Sequence, residues 1–392
     1  MEVFYETQQV PVHSVLLFPT RERAVEYPRG DIELGVCPRC GFIANVVFDP
    51  SKHEYSQRYE ETQGFSPTFQ AFHRALATRL IEDYDLRNKT VIEIGCGKGE
   101  FLTLLCELGN NTGVGFDPAY VEERNASPAK DRMSFIQDFY SERYSHVHGD
   151  FVVCKMTLEH IPNVREFIGT VRRSLGDRHS TRVFFQIPNM LRIFREAAFW
   201  DIYYEHCSYF SPGSLARLFR ACDFEVLNLE TQYADQYLMI EAMPGARGDG
   251  HPLPMEETPE ALLEEVRAFM PRAVQVISGW RKRIEGLHGA GKRVVIWGGG
   301  SKGVTFLTTL EVADEVAYAV DVNPYRSGTF LGRTGHEIVT PDFLASYRPD
   351  AVIVMNPVYC GEIQDDLNRL GLSAELLPIH DLAGESVGKA QP

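Results

Sequence analysis

The chain has 392 residues, with 39 Lys and Arg against 54 Asp and Glu, for a net charge of −15. That balance disfavours a nucleic-acid binder held mainly by phosphate contacts, which need clustered cations. A hydrophobic content of 44% and a charged content of 24% exclude general disorder, and no apolar run reaches the ~18 residues of a transmembrane helix.

The N-terminus, MEVFYETQQV, lacks a basic stretch followed by an apolar core, so a secretory signal is not expected. The eight cysteines are scattered along the chain and do not make a disulfide framework, which points to a reducing, cytoplasmic setting. Length suggests two or three domains. Residues 1–68 are irregular, with short β-like pieces and one cysteine pair in Cys37-Pro38-Arg39-Cys40-Gly41. In residues 69–245 apolar strands alternate with amphipathic helices. A helix is expected over Phe69–Asp83, then strand Thr90–Ile94, helix Glu100–Leu108, strands Gly113–Asp117, Ser134–Gln137 and Phe151–Cys154, helix Val164–Ser174 and strand Arg182–Ile187. Helix Gly213–Ala221 follows, then strands Glu225–Glu230 and Tyr237–Ala242, whose closeness predicts an antiparallel edge pair on a parallel sheet. Met243–Pro259 holds four Pro and three Gly and reads as a linker. The last block, 255–392, opens with a long amphipathic helix that Pro271 should kink. Strand Arg293–Trp297, a second glycine loop, a helix, and strands Val316–Asp321 and Ala351–Met355 make a smaller α/β unit.

The strongest local signal is Val91-Ile92-Glu93-Ile94-Gly95-Cys96-Gly97-Lys98-Gly99. Its glycines let the chain turn sharply from strand to helix and let a ligand lie against bare backbone at the carboxyl edge of the sheet. Asp117 ends the next strand, where a carboxylate can accept from ribose hydroxyls. The third glycine comes one position early for a dinucleotide loop. The alternative is a tight turn with no ligand.

Acid-x-Gly-x-Gly-x-Gly with a downstream acid resembles the first motif of class I S-adenosylmethionine (SAM) methyltransferases. Asp138-Phe139 then looks like that family's adenine contact, and Lys155-Met156-Thr157-Leu158-Glu159-His160-Ile161 like its fourth-strand motif. The resemblance implies SAM as cofactor, with Glu93, Gly95, Gly97, Gly99, Asp117, Pro118, Asp138, Phe139 and Lys155 around it. Ser66 meets the methionine end or caps the helix that follows.

Trp200-Asp201-Ile202-Tyr203-Tyr204-Glu205-His206 follows the fifth strand and crowds polar and aromatic groups beyond the sheet edge. A histidine beside a carboxylate and phenols suits a general base; a hydrogen-bonded loop histidine is the bland reading. Tyr-x-Glu-His, the Cys-x-x-Cys-Gly entry and the Trp-Gly-x-Gly-x-Lys-Gly run at Trp297–Gly303 together resemble the three-domain sugar C-methyltransferases, over almost the whole chain. Those act on 4-keto deoxysugars carried on a nucleoside diphosphate. The resemblance implies an α/β fold: a class I Rossmann-like sheet, a small N-terminal zinc-ribbon-like cap and a second, C-terminal Rossmann-like domain. It makes His206 the base that removes the proton next to the ketone, with Glu205 and Tyr203 as partners. His160 would stabilise the enolate oxygen, and Tyr59, with Tyr55 as the other candidate, would line the site.

Zinc wants four ligands, and this chain lacks the family's first Cys-x-x-Cys pair. Cys37 and Cys40 stand alone, with His13 and His53 as the further candidates. Gly298-x-Gly300-x-x-Gly303 with Asp321 formally fits a dinucleotide loop; an NAD site, a pyrophosphate cradle and a structural turn compete. The resemblance favours a substrate-side role for Gly298, Gly300, Ser301 and Lys302, with Asn323 and Asn356 on the same face. The expected partner is a small molecule, a nucleotide-activated keto-sugar, with no nucleic acid and no membrane, for a monomer or homodimer. Methylation of oxygen or nitrogen on another metabolite, or SAM binding without turnover, are the other readings.

Overall fold

The computed structural model describes residues 1–52, 58–245 and 250–382. His53 and Tyr55 lie outside the described residues. The first block holds strands β1 (Glu2–Pro11), β2 (Arg29–Val36) and β3 (Ile43–Asn45), with a short helix α1 (Arg21–Val25) between β1 and β2. β1 and β2 pair antiparallel, with register shifts either side of Tyr5–Thr7.

The middle block begins with α2 (Pro67–Tyr84), capped by the Ser66 side chain and opened by Pro67. It continues through β4 (Thr90–Ile94), α3 (Glu100–Gly109), β5 (Thr112–Phe116), β6 (Met133–Ile136), β7 (Phe151–Lys155), α4 (Val164–Leu175) and β8 (Arg182–Pro188). Then come α5 (Met190–Glu196), β9 (Ser208–Tyr209), α6 (Pro212–Ala221), β10 (Phe224–Gln232) and β11 (Tyr237–Pro244). Its seven strands run in the order β10-β11-β8-β7-β4-β5-β6. β11 is antiparallel to both neighbours, as the close spacing of the last two strands predicts. The remaining pairs are parallel, so crossovers must place helices on the sheet faces. Ile94 sits between Phe116 and Cys154 in register, so the first glycine loop, Asp117 and Lys155–Thr157 emerge at one edge.

The third block opens with α7 (Pro259–Gly289), which keeps Pro271 inside one helix, then β12 (Val294–Trp297) and α8 (Ser301–Leu310). β13 (Ala319–Val320), β14 (Ile338–Val339), β15 (Ala351–Val354) and β16 (Glu375–Pro378) complete a parallel sheet of order β14-β13-β12-β15-β16. Outward from its first strand this order repeats that of β6-β5-β4-β7-β8, so each glycine loop sits where the strand order reverses.

The three blocks share packing. β9, from the middle block, pairs with β3 and completes a small sheet of order β1-β2-β3-β9. One apolar core joins Tyr5 and Ile32 of the first block, Phe194 and Trp200 of the second, and Phe269, Trp280 and Phe306 of the third. No helix among the described residues is long and apolar enough to cross a membrane.

Candidate active site

A cleft of about 1070 Å³ runs from the first glycine loop to the second and is lined by residues of all three blocks. That volume is at the upper end for small-molecule sites, which suits two ligands lying side by side. At its start, Gly95 and Gly97 both have positive φ. A methyl group at Gly95 would collide with Thr157 Oγ1, and one at Gly97 would sit 2.6 Å from Glu61 Oε1. The bare backbone is therefore required there, which is what a nucleoside ligand needs. Asp117 accepts from Gly97 N at 2.9 Å and Ala119 N at 2.7 Å. A carboxylate has about four lone-pair sites, so two remain for ribose hydroxyls.

The other cofactor candidates fall differently. Gly99 does not line the cleft; it starts α3 with φ of 81°, and a side chain there would strike Phe135. Glu93 lines the wall, but one of its oxygens accepts from Leu102 N at 2.9 Å, and burial pushes its carboxyl up. Lys155 packs over the Phe101 ring and lies 2.8 Å from His73 Nε2; burial pulls its ammonium down. Ser66 caps α2 and donates to Glu362 at 2.7 Å, so both of its hydrogen-bonding faces are engaged. Asp138 pairs with Arg143 and Tyr144 at the rim, beside the exposed ring of Phe139, and Pro118 completes this side. Sequence reasoning missed Lys98 and Glu61. Buried Lys98 donates to the carbonyls of Tyr59 and Ala119, fastening the entry segment to the loop. Glu61 lies over Gly97, with its carboxyl pushed up to about 7 by burial.

Midway along the cleft, His206 is 3% exposed. Its ring lies 4.0 Å from Tyr203 and stands edge-on to His160 at 4.8 Å. Tyr59 lines the same stretch. Burial holds the Tyr203 phenol well above its usual value, so it is a proton donor there and not a base. His160 Nδ1 lies 3.0 Å from the backbone carbonyl of Glu205. A carbonyl only accepts, so Nδ1 carries a proton. His160 can then donate to an enolate oxygen through Nε2 only as the imidazolium.

Glu205 does not reach His206. Its carboxylate accepts from Ser14 N at 2.7 Å and Ser14 Oγ at 2.8 Å, and lies 3.9 Å from His13 Nδ1. The physical reason is direction: Tyr203–His206 is a turn closed by His206 N donating to Tyr203 O at 3.1 Å, and it aims the Glu205 side chain at Ser14 of the first block. Glu159 instead comes within 3.9 Å of His206 Nε2. Glu159, His160 and His206 are the one group of three among the described residues with metal-ligand spacing.

Among the described residues the cysteine pair is not a four-ligand centre. Cys37 and Cys40 are free thiols in a knuckle closed by the Cys37–Phe42 and Gly41–Cys37 backbone bonds. No third Cys, His, Asp or Glu joins them at ligand spacing among the described residues. His13 is buried beside Glu205 and Tyr59 and serves the cap's packing. These residues do not fit zinc.

The second glycine loop is largely satisfied from within the chain. Gly299 N donates to Asp321 at 3.1 Å, and Arg326 donates to Gly299 O at 2.6 Å. Gly303 lets α8 pack against Gly298 O. Gly298, Gly300, Ser301, Lys302, Asn323 and Asn356 all line the cleft. Their polar groups also fasten the blocks: Ser301 Oγ lies 2.7 Å from Ser14 Oγ, Asn323 donates to Glu60, and Asn356 accepts from Gln236. Lys302 and Arg192 share Asp201, and Arg192 also pairs with Glu196 at 2.6 Å, so the cluster balances two cations with two carboxylates at the cleft wall.

Burial pushes Glu205 from its usual 4.5 to about 7. Between those values the folded chain holds a proton that the unfolded chain has released. The stability it contributes is full below the unfolded value and is lost as pH rises through the folded one. Glu205→Gln is expected to shrink the fall in unfolding free energy between about pH 5 and about pH 8. Urea titrations at the two pH values check this; a fall of unchanged size would mean that Glu205 folds as a carboxylate.

A family profile described as a methyltransferase domain matches residues 59–229, and one described as a C-methyltransferase C-terminal domain matches 256–372. The C-methyltransferase NovU of Streptomyces niveus is 28% identical over 355 residues, covering 86% of this chain and 82% of that protein. Among solved structures, an O-methyltransferase family protein from Burkholderia thailandensis aligns with a TM-score of 0.35 and 17% identity, over 46% of this chain and 60% of that one. The magnesium protoporphyrin IX methyltransferase of Synechocystis PCC 6803 aligns with a TM-score of 0.34 and 16% identity, over 45% and 84%. The two profile matches, the strand order and the first glycine loop lead to one conclusion: this chain is a SAM-dependent methyltransferase whose last block matches a C-methyltransferase C-terminal domain.

Proposed function

We propose that the protein methylates the carbon next to the ketone of a nucleotide-linked keto-deoxysugar, with His206 as the base. The observation that carries this reading is the pair of imidazoles, His206 and His160, on the wall of a cleft that begins at the SAM loop and ends at the C-methyltransferase domain. SAM, when bound, supplies an electrophilic methyl group. His206 takes the proton from the α-carbon: the C–H bond breaks, an N–H bond forms, and the electron pair spreads to the ketone oxygen. An α-keto C–H is far less acidic than imidazolium, so placed donors must hold the developing charge. The Tyr203 phenol and the His160 imidazolium are the donors at hand. The enolate carbon then takes the methyl group.

A nucleoside-diphosphate 4-keto-deoxysugar deuterated next to the ketone tests the reading. Carbon methylation requires loss of one deuterium per methyl transferred. Full retention of deuterium in a methylated product would mean that oxygen or nitrogen is the acceptor.

A further inference from the structure

We propose that Glu159, and not its sequence counterpart Glu205, is the positioning carboxylate of His206. This rests on His206 being the base. Many carboxylates in this chain are buried, and nearly all of them are met: Glu205 by Ser14, Glu93 by Leu102 N, Glu60 by Arg124 and Asn323. Glu159 alone among the described residues leaves both side-chain oxygens buried without a hydrogen-bond donor. It is 1% exposed, and desolvating a carboxylate with no partner is among the costliest things a fold can do. A purely structural role at this place is better served by an amide or an apolar residue. Glu159 lies in the cleft lining, and its Oε1 is 3.9 Å from His206 Nε2.

The arrangement is rigid. Glu159 lies in a short turn, Leu158–His160, stitched to the His206 segment on both sides. His160 Nδ1 donates to Glu205 O, Cys207 Sγ donates to Glu159 O, and Ser208 Oγ donates to Ile161 O. The carboxylate and the imidazole are thus held at a fixed separation just longer than a hydrogen bond, one that tightens once the ring is charged. Burial pushes the Glu159 carboxyl up to about 8, and the imidazolium formed when His206 accepts the substrate proton favours its ionised form, so that the two pair as ions. The proton later leaves from His206 to water, so Glu159 neither gains nor loses a proton over the cycle. Among the described residues, Glu159, His160, Tyr203 and Tyr209 are titratable groups that face His206. Burial raises all three acids, the Glu159 carboxyl to about 8 and both phenols well above their usual value, so Glu159 is the one of them that ionises first.

Imidazole NMR of the full-length protein tests this without any substrate. With histidine labelled at Cε1, the His206 resonance is the one of twelve that His206→Gln removes. Glu159→Gln is expected to lower the His206 titration midpoint by about one pH unit or more, because an opposite charge at this range favours the charged ring. Glu159→Asp, one methylene shorter, is expected to give a smaller shift in the same direction. A Glu159→Gln midpoint within about 0.3 unit of wild type would overturn the assignment. Should that variant fail to fold, an unmoved midpoint in Glu159→Asp overturns it equally. The two readings fail separately: methyl transfer that survives His206→Gln sinks the base, whereas an unmoved midpoint sinks only the partnership.

Discussion

His206→Gln is expected to cut methyl transfer by about 10³-fold while leaving SAM affinity within about twofold of wild type, since a positioned general base is worth about 10²–10⁴. Glutamine fills much of the same space against Tyr203 and His160, so the buried wall survives. What disappears is a nitrogen that can take and release a proton near neutral pH. Exchange of the substrate α-hydrogen with solvent should vanish in step with methyl transfer, because both need the same C–H cleavage. The variant is therefore checked by single-turnover methylation and by deuterium washout. Normal turnover in either assay would remove His206 from the chemistry.

Asp117→Ala is expected to do the reverse: it weakens binding of S-adenosylhomocysteine by about 100-fold, at roughly 1.5 kcal/mol for each of two charge-assisted hydrogen bonds. The carboxylate holds two loop amides and keeps lone pairs for a ribose. Removing it loses both the ligand contacts and the acceptor that sets the loop. Isothermal titration calorimetry gives the constant, and far-UV circular dichroism confirms that the sheet remains. A loss smaller than threefold would mean that the ribose lies elsewhere. The two variants together separate binding from chemistry, because one loses the cofactor and the other keeps it idle.

Much of this was legible because the informative signals are local. Glycines that must turn a strand into a helix leave a fixed spacing, and both loops and the acids after the next strands could be read from it. The long apolar strands of the middle sheet were equally plain. Short strands were not: β13 has two residues where six were expected, and β14, β16 and β9 gave no periodic pattern to find. The partner of His206 was misread for a related reason. Adjacency in sequence suggested Glu205, but the Tyr203–His206 turn sends that carboxylate to Ser14, and the Leu158–His160 turn brings Glu159 within 3.9 Å of the ring. Asn323 and Asn356 were rightly placed on the cleft, yet their ties to Glu60 and Gln236 could not be seen without the packing of one block on another.

The strand that follows His206 is woven into the small N-terminal sheet and not into the large one. The neighbours of His206, Glu205, Cys207 and Ser208, are tied at the same time to His160, Glu159 and Ile161 of the middle block. The imidazole therefore sits on a seam between two sheets, and sliding of the first block over the second is resisted at the proposed base itself.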